Sequence, residues 1–445
     1  MAEPEFVERE FMAERLDGLR TTIDPVGLRF AEAGHRLYLV GGIVRDLHLG
    51  LLSGFDIDLT TDAHPSVIKT LVKPLADAVW TQGERFGTIG ASINGKALEI
   101  TTHRAERYDP ESRKPVVTFG DELQEDLSRR DFTINAMAVE VPGDRLHDPF
   151  GGLADLEARV LRTPLSPEVS FTDDPLRMLR AARFIARFEL AVDPGVLQAA
   201  VDLAERIEIV SVERVADEIE RLLTVTDPSA GFEFLRSTGL LSLAVAKMAD
   251  DEERLACALA SASAGAEVAG EVAPAGAGGS EDDEGDELNP LVRRAGLLWS
   301  TDVGAVLARL KYSNHDRATT KVLVRAVRDW IDRGGSTAAD GRRLLNRVGA
   351  ARPVRTLAAN LAAHHLDPSV VEAARRLVEV VDQLEADDDV GPYHSPLTGA
   401  EIMAALDAEP GPVIGQAQKL LLSHRLDHGP YTAEEAVTLL RREFS

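Results

Sequence analysis

Residues 55–59 read Phe-Asp-Ile-Asp-Leu, apolar and acidic side chains in strict alternation. A strand turns that alternation into two faces, so Phe55, Ile57 and Leu59 are predicted to point into a core while Asp56 and Asp58 stand together on the other side. The chain must therefore build a sheet buried on one face and acidic on the opposite one. Two adjacent carboxylates repel, so a cation between them is expected. Hard oxygen ligands on a short strand suit magnesium better than a thiolate-preferring metal. An acidic solvated edge strand is the competing reading, and the surrounding motifs decide between them.

Upstream, residues 37–50 read LYLVGGIVRDLHLG. An apolar strand ends at Gly41-Gly42 and passes into a helix near Ile43, whose first backbone N–H groups and positive dipole end are left facing outward. This predicts a phosphate seat. Gly42 lets a ligand approach the backbone closely, and Arg45, one turn on, has the planar fork that suits a phosphate. A Gly-Gly turn alone is a common connector; placed before an Asp-x-Asp strand, it points to a triphosphate and a metal.

At 445 residues the chain exceeds a single core, and two to four domains are expected. Residues 1–34 are predicted as an N-terminal helical segment. From 35 to 152, short β-rich runs mix with helical pieces and predict an α+β domain. From 153 the strand signals fade, giving a helical neck to 245, the start of a helical body at 246–260 and helical body and tail over 290–445. Between them, 261–289 are rich in Ala, Gly and acid and are predicted to be a disordered insertion. The single Cys257 rules out an internal disulfide, and no apolar run is long enough to span a bilayer. The N-terminal sixteen residues lack the order of a signal peptide, so a cytoplasmic protein without membrane contact is expected. Nothing in the pattern assigns an oligomeric state. A net charge of -25 argues against a general nucleic-acid binder, although arginines gather over 159–187 and 342–355 and leave room for a local basic face.

Arg177, Arg180 and Arg183 recur at spacing three in DDPLRMLRAARF (173–184) and share one helix face, which predicts an anion or a base opposite them. Asp174, before Pro175, is also placed to cap that helix. Asp131 in RRDF is likewise a candidate cap.

Taken in order, LVGGIVRD, FDIDLTTDA, DLSRRDFTINAMA (126–138), HDPFGGLADLEARVLRT (147–163) and DDPLRMLRAARF resemble the class II tRNA nucleotidyltransferases and bacterial poly(A) polymerases of the polymerase β superfamily. The resemblance covers roughly the first half of the chain. It implies an α+β nucleotidyltransferase head with a mixed sheet, followed by an all-α neck, body and tail. It further implies magnesium held by Asp56 and Asp58, with Glu99 as third catalytic carboxylate and Arg130 on the nucleotide's phosphates. Asp174 and Arg177 would imitate a template base. Asp174 would accept from the amine of cytosine or adenine while Arg177 donates to ring acceptors, so UTP and GTP leave acceptor facing acceptor. Arg180 and Arg183 would hold phosphate or ribose. Residues 104–119 match a charged flexible loop of that family.

The implied activity is addition of CCA to the tRNA 3′ end from CTP and ATP. Poly(A) polymerase, a CC- or A-adding partial enzyme, a non-catalytic RNA-binding relative and a small-molecule nucleotidyltransferase are the alternatives. Where many relatives carry a His-Asp pair of a phosphohydrolase, Trp299 and Ser300 stand here. His315-Asp316 and His364-His365 form no familiar metal set. The helical body is therefore expected to serve tRNA binding alone, and Gly411, Pro412 and Gly415 to mark a helix–turn–helix near the end.

Overall fold

The computed structural model describes residues 4–51, 57–107, 116–119, 122–245 and 290–444. Asp56, the residues 246–260 and the predicted insertion 261–289 lie outside the described residues. The chain divides into two compact units, 1–209 and 210–445.

The first unit is built on a seven-stranded mixed sheet in the order β3-β4-β5-β2-β1-β8-β9. Its strands are β1 (Leu37–Val40), β2 (Ile57–Thr61), β3 (Ala78–Trp80), β4 (Thr88–Ile93), β5 (Lys96–Thr102), β8 (Ala138–Val141) and β9 (Leu146–His147). Only β2 and β5 run parallel. The alternation expected of β2 holds from Ile57 onward, with Ile57 and Leu59 buried and Asp58 exposed between them. Leu37, Leu39, Ile89, Ala91, Leu98, Ile100, Val139 and Val141 join them in one core.

Three helices cover that core face: α1 (Pro4–Glu32), α2 (Gly42–Leu49) and α3 (Pro65–Val72). The helix α1 runs on through Pro25 and inserts Leu16, Leu19, Ile23, Val26 and Phe30 into the sheet's own core. It is part of the head, and Gly27 is the reason it can come so close. A Cβ there would lie 2.6 Å from the carbonyl oxygen of Val141.

The opposite face is covered only in part. Tyr38, Val40 and Ala138 pack there with Leu127 of α4 (Leu123–Ser128), whereas Asp58 and Glu99 of the parallel pair are exposed. Of the segment expected as a loop at 104–119, the described residues 104–107 and 116–119 form two paired strands. In it β6 (Arg104–Arg107) pairs antiparallel with β7 (Val116–Phe119), whose β-branched run favours a strand.

Beyond the sheet, α5 (Gly152–Glu157), the short parallel pair β10 (Val160–Leu161) and β11 (Ala191–Val192), α6 (Pro167–Asp173), α7 (Leu176–Phe188) and α8 (Pro194–Asp202) complete the first unit. The arginine row therefore belongs to the same compact unit as the sheet.

The second unit is helical throughout its described residues, as expected. Arg293, 1% exposed, donates to the carbonyls of Leu223, Val225 and Thr226 and so caps the C-terminal end of helix Val212–Leu223 with a positive charge. In the tail, helices Gly399–Leu406, Pro412–His428 and Ala433–Glu443 enclose Ile402, Ala417, Leu421, Ala436 and Leu440. Pro412 opens the second of these after a short turn, the arrangement expected around Gly411, while Gly415 falls inside that helix.

Candidate functional site: a carboxylate pair beside a Gly-Gly turn

The register of three strands assembles the site. In the parallel pair, Asp58 lies directly opposite Glu99, and both are exposed on the open face. Like charges set directly opposite destabilise a sheet, so the pair fits a bound cation. Among the described residues no group of three His, Cys, Asp or Glu is close enough to hold a metal by itself. Asp56, the neighbour the strand pattern adds, lies outside them.

The strand β1 runs antiparallel to β2 with Leu39 opposite Leu59. Its continuation, Val40 to Gly41, therefore passes alongside Asp58 and Ile57. The Gly-Gly turn is thereby brought to the carboxylates. Gly41 adopts φ 82° and ψ −137°, a conformation open almost only to glycine, and no side chain caps α2 there. A Cβ on Gly41 would sit 2.6 Å from Nη1 of Arg130, so the Arg130 guanidinium lies directly against the turn. Arg130 also reaches Asp126 at 3.4 Å, while its buried Nε has no hydrogen-bond partner among the described residues.

Arg129, Arg130 and Asp131 tie this turn to α7. Asp131 is buried and accepts from Phe132 N–H, Asn135 Nδ2 and Arg180 Nε, the last two at 2.9 Å. Burial alone would raise its pKa. The Arg180 charge and these hydrogen bonds outweigh burial and hold the carboxyl below the ordinary aspartate range. Arg177 donates to Ser170 Oγ at 2.9 Å and to the carbonyl of Arg129 at 2.5 Å. Asp174 accepts from Leu176 N–H at 3.2 Å, the capping role its sequence allowed. Arg183 is nearly buried, its guanidinium 4.7 Å from the Phe184 ring centroid.

The arginine row is thus balanced in part from within: the anion that meets Arg180 is Asp131, 49 residues away in sequence. The sequence offered Asp131 only as a cap. It does not cap the turn Thr133–Asn135, whose N-cap residue is Phe132; it binds Phe132 N–H and the Asn135 side chain beside that turn and pins Arg180.

Arg45 is held from within the protein. It is 4% exposed, bonded to Asp46 at 2.8 Å and to Asn135, with its guanidinium 4.3 Å from the Phe188 ring centroid. Burial lowers its pKa against the opposing pull of Asp46. Its donors are turned to Asp46 and Asn135, because burial obliges a guanidinium to satisfy them within the protein.

A mixed sheet with one helix-covered face, one open face bearing a carboxylate pair and a Gly-Gly entry to a short helix is an arrangement suited to holding a nucleotide and a cation. Comparison with known proteins agrees. Residues 37–162 match the family model described as the poly A polymerase head domain, and 189–246 match a probable RNA and SrmB-binding site of polymerase A. The chain is 41% identical over 232 residues to a CCA-adding enzyme of Lacticaseibacillus paracasei, covering 52% of this chain and 56% of that enzyme. Against a CCA-adding enzyme of a Geobacillus species it is 38% identical over 226 residues, 51% of this chain and 54% of the relative. The chain thus spans about half the length of the curated relatives it matches.

Two solved structures share the fold across nearly the whole chain. One is the Bacillus stearothermophilus CCA-adding enzyme in complex with CTP, with TM-score 0.70, 24% identity and coverage of 99% of this chain and 98% of that one. The other is the Thermotoga maritima CCA-adding enzyme complexed with tRNA, with TM-score 0.65, 20% identity and 98% coverage of each. By these matches the chain resembles CCA-adding enzymes and poly(A) polymerases over its first half and shares their fold.

Proposed function

We propose that the chain is a template-independent nucleotidyltransferase that adds CCA to the 3′ end of tRNA from CTP and ATP, with release of pyrophosphate. The observation that carries this reading is the Asp58–Glu99 pair, held opposite each other in parallel register beside the Gly41–Gly42 turn and Arg130. It is supported by relatives named CCA-adding enzymes over the half of the chain that holds this pair.

The family's chemistry uses a divalent metal, and magnesium suits the oxygen donors Asp56, Asp58 and Glu99. When bound there it supplies acidity to the RNA 3′-hydroxyl and neutralises charge on the departing pyrophosphate. The chain's own residues do the positioning. Backbone N–H groups at Gly42 and the Arg130 guanidinium receive the triphosphate. Asp174 accepts from the exocyclic amine of cytosine or adenine, and Arg177 donates to the ring acceptors of the same base. Rejection of UTP and GTP follows, because their carbonyl oxygens would face the Asp174 carboxylate with no proton between them. Arg180, fixed by Asp131, and Arg183 support this pocket, and Arg45 keeps α2 and α7 together beneath it. The domain reading that accompanies this is a head over 35–152, a base-recognition neck over 153–245 and a helical body and tail that bind tRNA.

No helix among the described residues is long and apolar enough to cross a membrane; the cytoplasm is the location proposed. The second reading, a poly(A) polymerase, is favoured by the head-domain match, whose printed description is that of a poly A polymerase. Extension of tRNA transcripts ending at the discriminator base, after C and after CC, separates the two. Completion of all three to CCA with CTP and ATP supports the proposal, long A tails the second reading, and extension of only some a partial enzyme.

A further inference from the structure

On the open face, the row of side chains that contains Asp58 and Glu99 continues outward to the edge of the sheet. Glu99 pairs with Gly90 of β4, and Gly90 pairs with Trp80 of β3. A Cβ on Gly90 would lie 1.8 Å from Nε1 and 2.0 Å from Cε2 of Trp80, so the indole lies across the glycine. No other residue would leave room for it there. The ring rests on bare backbone, with Trp80 still half-exposed.

Adjacent strands are about 4.8 Å apart, which puts the indole roughly one strand from Glu99 and two from Asp58. That separation is of the order of the span from a nucleotide's base to its own 3′-oxygen. The same β3–β4 connection carries Phe86, 46% exposed, with Arg85 4.5 Å from its ring centroid. Half-exposed aromatic rings accompanied by an arginine are the equipment with which proteins hold single-stranded bases without reading their sequence. Tolerance of sequence is what the acceptor end requires, since its terminal base changes after every addition.

We propose that Trp80, laid over Gly90, is the stacking platform for the 3′-terminal base of the RNA acceptor and so sets its 3′-hydroxyl against the Asp58–Glu99 pair. This rests on the function proposed above and assigns the acceptor a place distinct from that of the incoming nucleotide, whose base faces Asp174 and Arg177.

The test compares full-length wild type with Trp80→Ala, Trp80→Leu and Trp80→Phe, reading KM for a tRNA transcript ending at the discriminator base, KM for CTP and kcat. A platform predicts that Ala and Leu raise the acceptor KM about tenfold or more, with KM for CTP within twofold, and that Phe restores it to near wild type. If the indole merely covers Gly90, Leu serves as well as Phe, and that result overturns the proposal. So does a rise in KM for CTP equal to that for RNA. The Leu and Phe variants keep an apolar cover and decide the matter even if Trp80→Ala fails to fold. An active wild type with an unaffected Leu variant removes the platform and leaves the activity standing. A wild type that extends no RNA overturns both.

Discussion

At the scale of single residues, Asp131 and Arg45 are buried charges that the chain satisfies from within. Removing one partner of such a pair leaves the other uncompensated, a cost of about 3–5 kcal/mol when burial is complete. Arg180 keeps 31% of its side-chain exposure, so Asp131→Asn is expected to cost nearer 2 kcal/mol and to raise KM for CTP, read by urea unfolding and steady-state kinetics. The pH dependence has a definite sign. With a folded pKa below that of the unfolded chain, Asp131 contributes stability that is present above about pH 4 and lost as pH falls further toward the folded value. Unfolding curves between pH 6 and 3 should therefore show a shallower acid decline in Asp131→Asn than in wild type. For Asp58→Asn the expected outcome is the reverse combination: loss of CMP incorporation by about 10³-fold or more, with a melting temperature equal to or above that of wild type. Its neighbour Glu99 is then relieved of a like charge.

At the scale of elements, period-two alternation made β2 legible, and an apolar run closed by two glycines made β1 and α2 legible. Their juxtaposition was legible only by resemblance, because it depends on a strand register that no local pattern encodes. The helix α1 was visible as a helix, yet its place in the head core was hidden behind Pro25 and Gly27. The first reads as a breaker, and the second is a close contact with Val141. The arginine row was visible as a charged face, whereas its internal counter-ion was not, since Asp131 and Arg180 meet only through the fold. Asp174 shows both of its sequence roles remaining open to one side chain, as it caps α7 and stands in the same stretch as Arg177. For the turn itself, Gly41→Ala is expected to cost about 1–3 kcal/mol, because the conformation is strained for any Cβ and Arg130 must move aside. A lower melting temperature together with a higher KM for CTP would match this. A lower melting temperature with KM unchanged would detach Arg130 from the triphosphate.

At the scale of the whole molecule, the proposed RNA binding must run through local arginines against the unfavourable mean field of a net charge of -25. Few phosphate contacts, and so a salt response shallower than that of a basic RNA-binding protein, are the consequence. With about four such contacts, tRNA affinity should fall roughly a hundredfold between 50 and 200 mM salt, measured by filter binding. An affinity indifferent to salt would mean that stacking and shape carry the binding instead.

Arg129, Arg130 and Asp131 are consecutive, yet the first and last hold the helix of the arginine row while the middle one lies on the Gly-Gly turn. On the proposed function, two peptide units act as a ruler between the place where a base is judged and the place where its phosphates rest. A ruler made of covalent bonds neither stretches nor drifts. One residue inserted into it would leave every contacting side chain present and still misalign choice with transfer, so the fidelity of such a protein is a matter of length as much as of chemistry.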